Sequence, residues 1–209
     1  MELLNFKEYL KEDKDELGHG SEKHHVIAFG RMNPPTAGHM QVINKVHDVA
    51  DKQKAGHTVV TSHSQDKKKN PLTASQKIKH LKRYSPKTNF KSSSSEHPTL
   101  LHHLAAMHKN GVTHAHIVVG SDRVKDMKSL ATKYNGQKSS HGHYNFKKIT
   151  VHSAGHRDPD AEGTAGVSGT KQREHAQSGN FKEFRKGVPE HVSDKHAKEL
   201  MHDVNKGSK

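Results

Sequence analysis

Two groups of residues in this 209-residue chain are of the types that handle phosphate. The first is Thr36-Ala37-Gly38-His39, preceded by Gly30-Arg31-Met32-Asn33-Pro34-Pro35. An imidazole and a hydroxyl bring hydrogen-bond donors to one point, and Gly38 lets the backbone come close to a ligand. The second is Val167-Ser168-Gly169-Thr170-Lys171-Gln172-Arg173. Ser168 and Thr170 add hydroxyls, and Arg173 supplies a planar, permanently charged fork that suits phosphate oxygens. Such groups can stabilise charge that builds on a phosphate during transfer, by position and field alone.

The elements that must hold these residues follow from hydrophobic periodicity. Val26-Ile27-Ala28-Phe29 reads as a buried strand. From Met40 to Ala50, Val42, Ile43, Val46, Val49 and Ala50 repeat at helical spacing. Pro34 and Pro35 keep the intervening loop extended. His39 and Thr36 are thereby predicted to lie beside free N–H groups at a helix start, an anion site. Thr58-Val59-Val60-Thr61 is a second strand, leading through Ser62-His63 and Lys67-Lys68-Lys69 to Asn70-Pro71-Leu72-Thr73. Thr73, with Gln76 three residues on, forms a capping box for a helix whose apolar side carries Ile78 and Leu81. Thr88 to Ser95 is a weak strand with Phe90 as its apolar residue. A helix follows from Pro98 to Lys109, stopped by Asn110-Gly111. Ala115 to Val119 is the next strand and runs into Gly120-Ser121-Asp122-Arg123. There, ordinary helix capping by Ser121 and contact with a ligand are equally open readings. Val124, Met127, Leu130, Ala131 and Tyr134 stripe the next helix, and Asn135 to Tyr144 reads as a loop. Ile149 and Val151 alternate in a strand near the sheet edge. The loop Ser153 to Gly166, which contains Arg157, is of a length usually functional or mobile. Val192, His196 and Leu200 mark a final helix.

Thr36-Ala37-Gly38-His39 resembles the [H/T]-x-G-H signature of the HIGH-motif nucleotidyltransferase superfamily, and Val167 to Arg173 resembles its second signature, [I/V]-S-x-T-x-x-R. The stretch Ser62-His63 to Asn70-Pro71-Leu72-Thr73-Ala74 is similar to archaeal-type nicotinamide mononucleotide adenylyltransferases. Gly120-Ser121-Asp122 is similar to the loop that helps bind nucleotide in the superfamily. The resemblance covers roughly residues 23–189. It implies an α/β fold, Rossmann-like, with a doubly wound parallel sheet of about five strands, helices on both faces and a helical C-terminal extension. It further implies transfer of AMP or CMP from ATP or CTP to a phosphorylated acceptor, with release of pyrophosphate. On that reading His39, Thr36 and Arg173 are catalytic. Gly30, Arg31, Asn33, Pro34, Gly38, Gly120, Asp122, Arg123, Ser168 and Thr170 bind nucleotide. Ser62, His63, Asn70 and Arg157 line the acceptor site, and Arg31 is a second candidate there. Mg²⁺ would be carried mainly by the triphosphate, since it keeps waters and needs few protein ligands.

Composition bounds the rest. Lys and Arg number 35 against 22 Asp and Glu, a formal net charge of +13. That favours anionic partners: nucleotides, nucleic acid or an acidic surface. The chain has no cysteine, which excludes disulfides, thiolate metal sites and a Cys nucleophile. No apolar run approaches the roughly 20 residues of a membrane span, and no secretory leader is visible. A cytoplasmic protein is expected. The 22 histidines carry no metalloprotease spacing and read as scattered surface residues. Leu3, Phe6 and Leu10 share one face of an amphipathic N-terminal peptide. It resembles the capsid-targeting peptides of large tailed bacteriophages, with Leu10-Lys11-Glu12 like their processing signal, so phage head components are an expected partner for residues 1–12. The domain plan is therefore a peptide and linker over 1–20, a nucleotidyltransferase domain over 21–189 and a C-terminal helix over 190–209. A virion protein using its nucleotide-binding domain for architecture or DNA contact is the alternative of another class.

Overall fold

The computed structural model describes residues 22–155 and 167–209. The N-terminal peptide and Arg157 lie outside the described residues.

Five parallel strands form the sheet: β1 (His24–Gly30), β2 (Gly56–Thr61), β3 (Phe90–Ser92), β4 (His114–Val119) and, after a two-stranded hairpin of β5 (Lys138–Ser139) and β6 (Gly142–His143), β7 (Lys148–Ser153). Their order is β3-β2-β1-β4-β7, each neighbour parallel to the next. The chain therefore runs outward from β1 in one direction and returns past it to β4. The switch lies between β1 and β4, where the loops leaving their carboxyl ends diverge and open a crevice.

The helices follow from the same alternation. Ile27, Ile117 and Val119 point to one face and pack under α3 (Leu100–Lys109) and α4 (Val124–Lys133). Val26, Ala28 and Val59 point to the other and pack under α1 (His39–Gln53) and α2 (Ala74–Tyr84). The predicted capping box is present, with Thr73 and Gln76 bonded reciprocally at the start of α2. Gly111, at φ 81°, turns the chain after α3, as the Asn-Gly stop predicts. Then α5 (Gly169–Gln177), α6 (Phe181–Lys186) and α7 (Asp194–Gly207) bury Ala176, Phe184, Val188, Leu200 and Val204 against Leu72 and Tyr84. The C-terminal helix thus closes a third core cluster beside α2.

Three expectations are corrected. Asn135 to Tyr144 contains the β5–β6 hairpin, and Tyr144, fully buried, donates to Ala131 O at 2.8 Å. Ser121 does not cap α4: Ser121–Arg123 is a single 3₁₀ turn, and Arg123 stands at the N-cap without a side-chain capping bond. The histidines are not all surface residues, because His80, His114, His116 and His141 are buried. Alternation along β1 and β4 places His24, His114 and His116 on one face, where their rings stack.

Candidate active site

The loop after β1 is shaped by its own sequence and by a clip. Met32 takes φ 47°, a left-handed conformation costing roughly 1–2 kcal/mol for a residue with a Cβ, and its buried side chain holds it in the core. The Asn33–Pro34 peptide is cis. Asn33 is buried, and its amide donates to Leu72 O and accepts from Leu72 N–H, both at 3.0 Å. The amide thus joins this loop to the one after β2. Further on, Ala37 N–H donates to Gly187 O at 2.8 Å.

His39 is oriented by Thr36. The Thr36 backbone N–H donates to His39 Nδ1 at 3.0 Å, and the Thr36 hydroxyl lies 2.9 Å from the same nitrogen. A backbone N–H can only donate, so Nδ1 of the neutral ring is the acceptor and the proton sits on Nε2. Thr36 is fully buried. In this structure the contacts of Thr36 run to His39 and orient its ring. The expected free N–H groups at the start of α1 are modified, because those of His39 and Met40 bond to Thr36 O and Ala37 O at 2.9 and 3.0 Å.

Arg173 ties the second motif to the first. Its Nη1 donates to Asn33 O at 2.9 Å and its Nη2 to Thr170 Oγ1 at 3.0 Å. A Cβ at Gly169 would lie 3.3 Å from that guanidinium, so the glycine gives it room. Burial, then the neighbouring Arg31, lower the Arg173 pKa, while Asp66 and Glu174 oppose the shift. Arg31 and Asp66 belong to the loops after β1 and β2, so three segments far apart in sequence share one electrostatic neighbourhood. Two guanidinium groups held close repel each other, and an anion between them relieves that repulsion. Ser168 caps α5, its hydroxyl accepting from Lys171 N–H at 3.1 Å.

The remaining candidates fall around the same edge of the sheet. Ser62 N–H bonds Gly30 O at 3.0 Å, which brings the ends of β1 and β2 together. His63 meets Ser93 Oγ through both its N–H and Nδ1, each at 2.9 Å. Asn70 is buried beside Asp66 and donates to its carboxylate, while its own Oδ1 is buried with no partner among the described residues. That orphaned acceptor suits a ligand's N–H or O–H donor. At the end of β4, Gly120 lies under the Asp122 carboxylate, 2.7 Å from where a Cβ would stand, and Asp122 and Arg123 are exposed.

Lys77 is a residue that the motifs do not reveal. It is fully buried on α2 and donates to Ser62 O and Oγ, the latter at 3.3 Å. Burial pushes its pKa down to about 8. The sequence carried a signal: Lys77 shares the helical stripe of Leu81 and Tyr84. Among the described residues, the three-membered group of potential metal ligands lies elsewhere, at Glu22, His24 and His114. At the crevice, Arg31 and Arg173 are electrostatic neighbours, and His39 stands at the start of α1, after the loop of Asn33, which Arg173 reaches. Such donors are of the kind that would meet a nucleotide carrying its own Mg²⁺.

No helix among the described residues is long and apolar enough to cross a membrane. No match among curated proteins was found. A family model described as cytidylyltransferase-like matches residues 27–175. That span runs from the first core residues of β1 through the helix that carries Arg173, and over it this chain belongs to the cytidylyltransferase-like family of nucleotidyltransferases.

Proposed function

We propose that the protein transfers a nucleotidyl group from ATP or CTP to a phosphorylated small-molecule acceptor. An acceptor phosphate oxygen attacks the α-phosphorus, the bond to the bridging oxygen breaks, and pyrophosphate leaves with its electron pair. The observation that carries this reading is the reach of Arg173 to Asn33 O, which couples the two phosphate-binding motifs across the mouth of the sheet. His39 Nε2–H donates to an α-phosphate oxygen as charge grows there, held in line by Thr36. Arg173, Thr170 and Arg31 bind the β- and γ-phosphates. Mg²⁺ bound to the triphosphate would neutralise part of its charge. Gly120, Asp122 and Arg123 flank the nucleoside side, at the end of β4. Ser62, His63 and the unpartnered Asn70 Oδ1 face the acceptor, and the likeness of that loop to archaeal-type nicotinamide mononucleotide adenylyltransferases favours ATP.

The test is pyrophosphate release from ATP and from CTP over a panel of acceptors that includes nicotinamide mononucleotide and phosphocholine. Turnover with one acceptor, abolished by His39→Ala, is the expected result. Absence of turnover across the panel, together with no triphosphate binding by calorimetry, overturns the reading.

A further inference from the structure

At the opposite end of the sheet from the crevice, β1 and β4 begin side by side, with His24 paired in register to His114. Their rings stack with centroids 4.5 Å apart, and Glu22, just before β1, brings its carboxylate to both. Glu22 Oε2 lies 3.5 Å from His24 Nε2, and Oε1 lies 3.8 Å from His114 Nε2. Ligand atoms bonded at about 2.0–2.1 Å in a tetrahedral site stand roughly 3.3 Å apart. The two carboxylate–imidazole distances are close to that separation, and the ligand atoms of all three groups lie within 4.8 Å of one another.

Hydrogen-bond partners surround the cluster. Lys23 N–H donates to Thr113 Oγ1 at 2.9 Å, and Thr113 Oγ1 lies 3.0 Å from His114 Nδ1. In the tautomer that donates from Nδ1 to Thr113, His114 turns the lone pair of Nε2 toward the Glu22 carboxylate. A lone pair facing a carboxylate is stable when a cation lies between them. His24 has a matching outer partner. Its Nδ1 lies 2.9 Å from His116 Nε2, and His116 Nδ1 lies 3.0 Å from His152 Nε2. If each ring donates from Nδ1 to the next, His24 Nε2 also presents a lone pair to Glu22. Outer hydrogen bonds of this kind orient imidazole ligands and raise their basicity.

We infer that Glu22, His24 and His114 form a binding site for a divalent transition-metal ion of the zinc type, with Thr113 and the His116–His152 row as its outer shell. Two imidazoles and one carboxylate suit Zn²⁺ or Co²⁺ and not Mg²⁺, which takes oxygen ligands. One position remains for water. The ion clips the segment before β1 to the start of β4, at the far end of the two strands whose other ends form the crevice. Its role is to fix the sheet rather than to take part in transfer, so it stands or falls independently of the proposed activity.

The test is a Co²⁺ titration of the full chain, read by visible absorption and followed by Zn²⁺ displacement. One equivalent should develop the strong bands of tetrahedral Co²⁺ and be displaced by Zn²⁺, which should also raise the thermal midpoint. Glu22→Gln, at an exposed position, should weaken that equivalent by at least about tenfold with an unchanged metal-free circular dichroism spectrum. His114→Asn should do the same. The inference is overturned if no tetrahedral band develops, or if wild type and Glu22→Gln take up Co²⁺ alike. Either result would leave Glu22 and its histidines as a proton-bridged cluster and any uptake as adventitious binding by other histidines.

Discussion

His39 shows how one hydrogen bond fixes a tautomer. Its Nδ1 accepts from Thr36 N–H, so the proton of the neutral ring is on Nε2. The Thr36→Val variant keeps that backbone bond and loses the hydroxyl. Steady-state kinetics should show a fall in kcat/KM of roughly five- to tenfold, matching about 1 kcal/mol for one hydrogen bond. His39→Ala, which removes the donor itself, should cost far more. Arg173→Lys keeps the charge but cannot hold Asn33 O and Thr170 Oγ1 with one planar fork. We expect a loss of roughly 10–100-fold in kcat/KM, seen most in triphosphate affinity. These positions could be singled out because each motif is local in sequence. The burial of Thr36 and its contact with His39 could not, since burial is not written in a four-residue motif.

Among elements, the loops matter through what joins them. Asn33 bridges the loops after β1 and β2, and Gly187, beyond α6, receives the N–H of Ala37. A Cβ on Gly187 would run into Gln172 and Val167. Gly187→Ala should therefore disturb the start of the Arg173 helix and the Thr36 loop together, lowering the urea midpoint and activity in parallel. By contrast Leu200→Ala, in the cluster under α7, should cost about 2–5 kcal/mol of stability and leave KM unchanged in the folded fraction. Helix α2 is tied to α7 by Lys79 and Arg83 to Glu199 and by His80 to Asp203. The periodicity placed both helices; their pairing depends on contacts more than a hundred residues apart.

For the molecule as a whole, pH and salt report on buried charge. Lys77 has a folded pKa of about 8 against an ordinary 10.5. Below about pH 8 both states carry its proton, and the folded state bears the burial cost. Between these values the unfolded chain holds a proton that the folded chain has released, so stability rises with pH. Urea unfolding should show a gain of roughly 1–3 kcal/mol from pH 7.5 to 10, absent in Lys77→Met. Above pH 10 the trend should reverse, because burial raises Tyr144 to about 12 and the unfolded chain loses that proton first. With a formal charge of +13, triphosphate affinity should also fall as salt is raised, because screening weakens every cation in the crevice.

The alternation of the five main strands with their helices, the two sequence motifs and the net positive charge were determined by the sequence alone, because each depends on residues close together in the chain or on composition. Tertiary structure decided what those residues touch. It set Arg173 against Asn33, turned Thr36 toward His39, placed Lys77 under Ser62 and gathered histidines of two strands beside Glu22. Parallel pairing aligns residues some 90 positions apart, and nothing in local periodicity encodes that register.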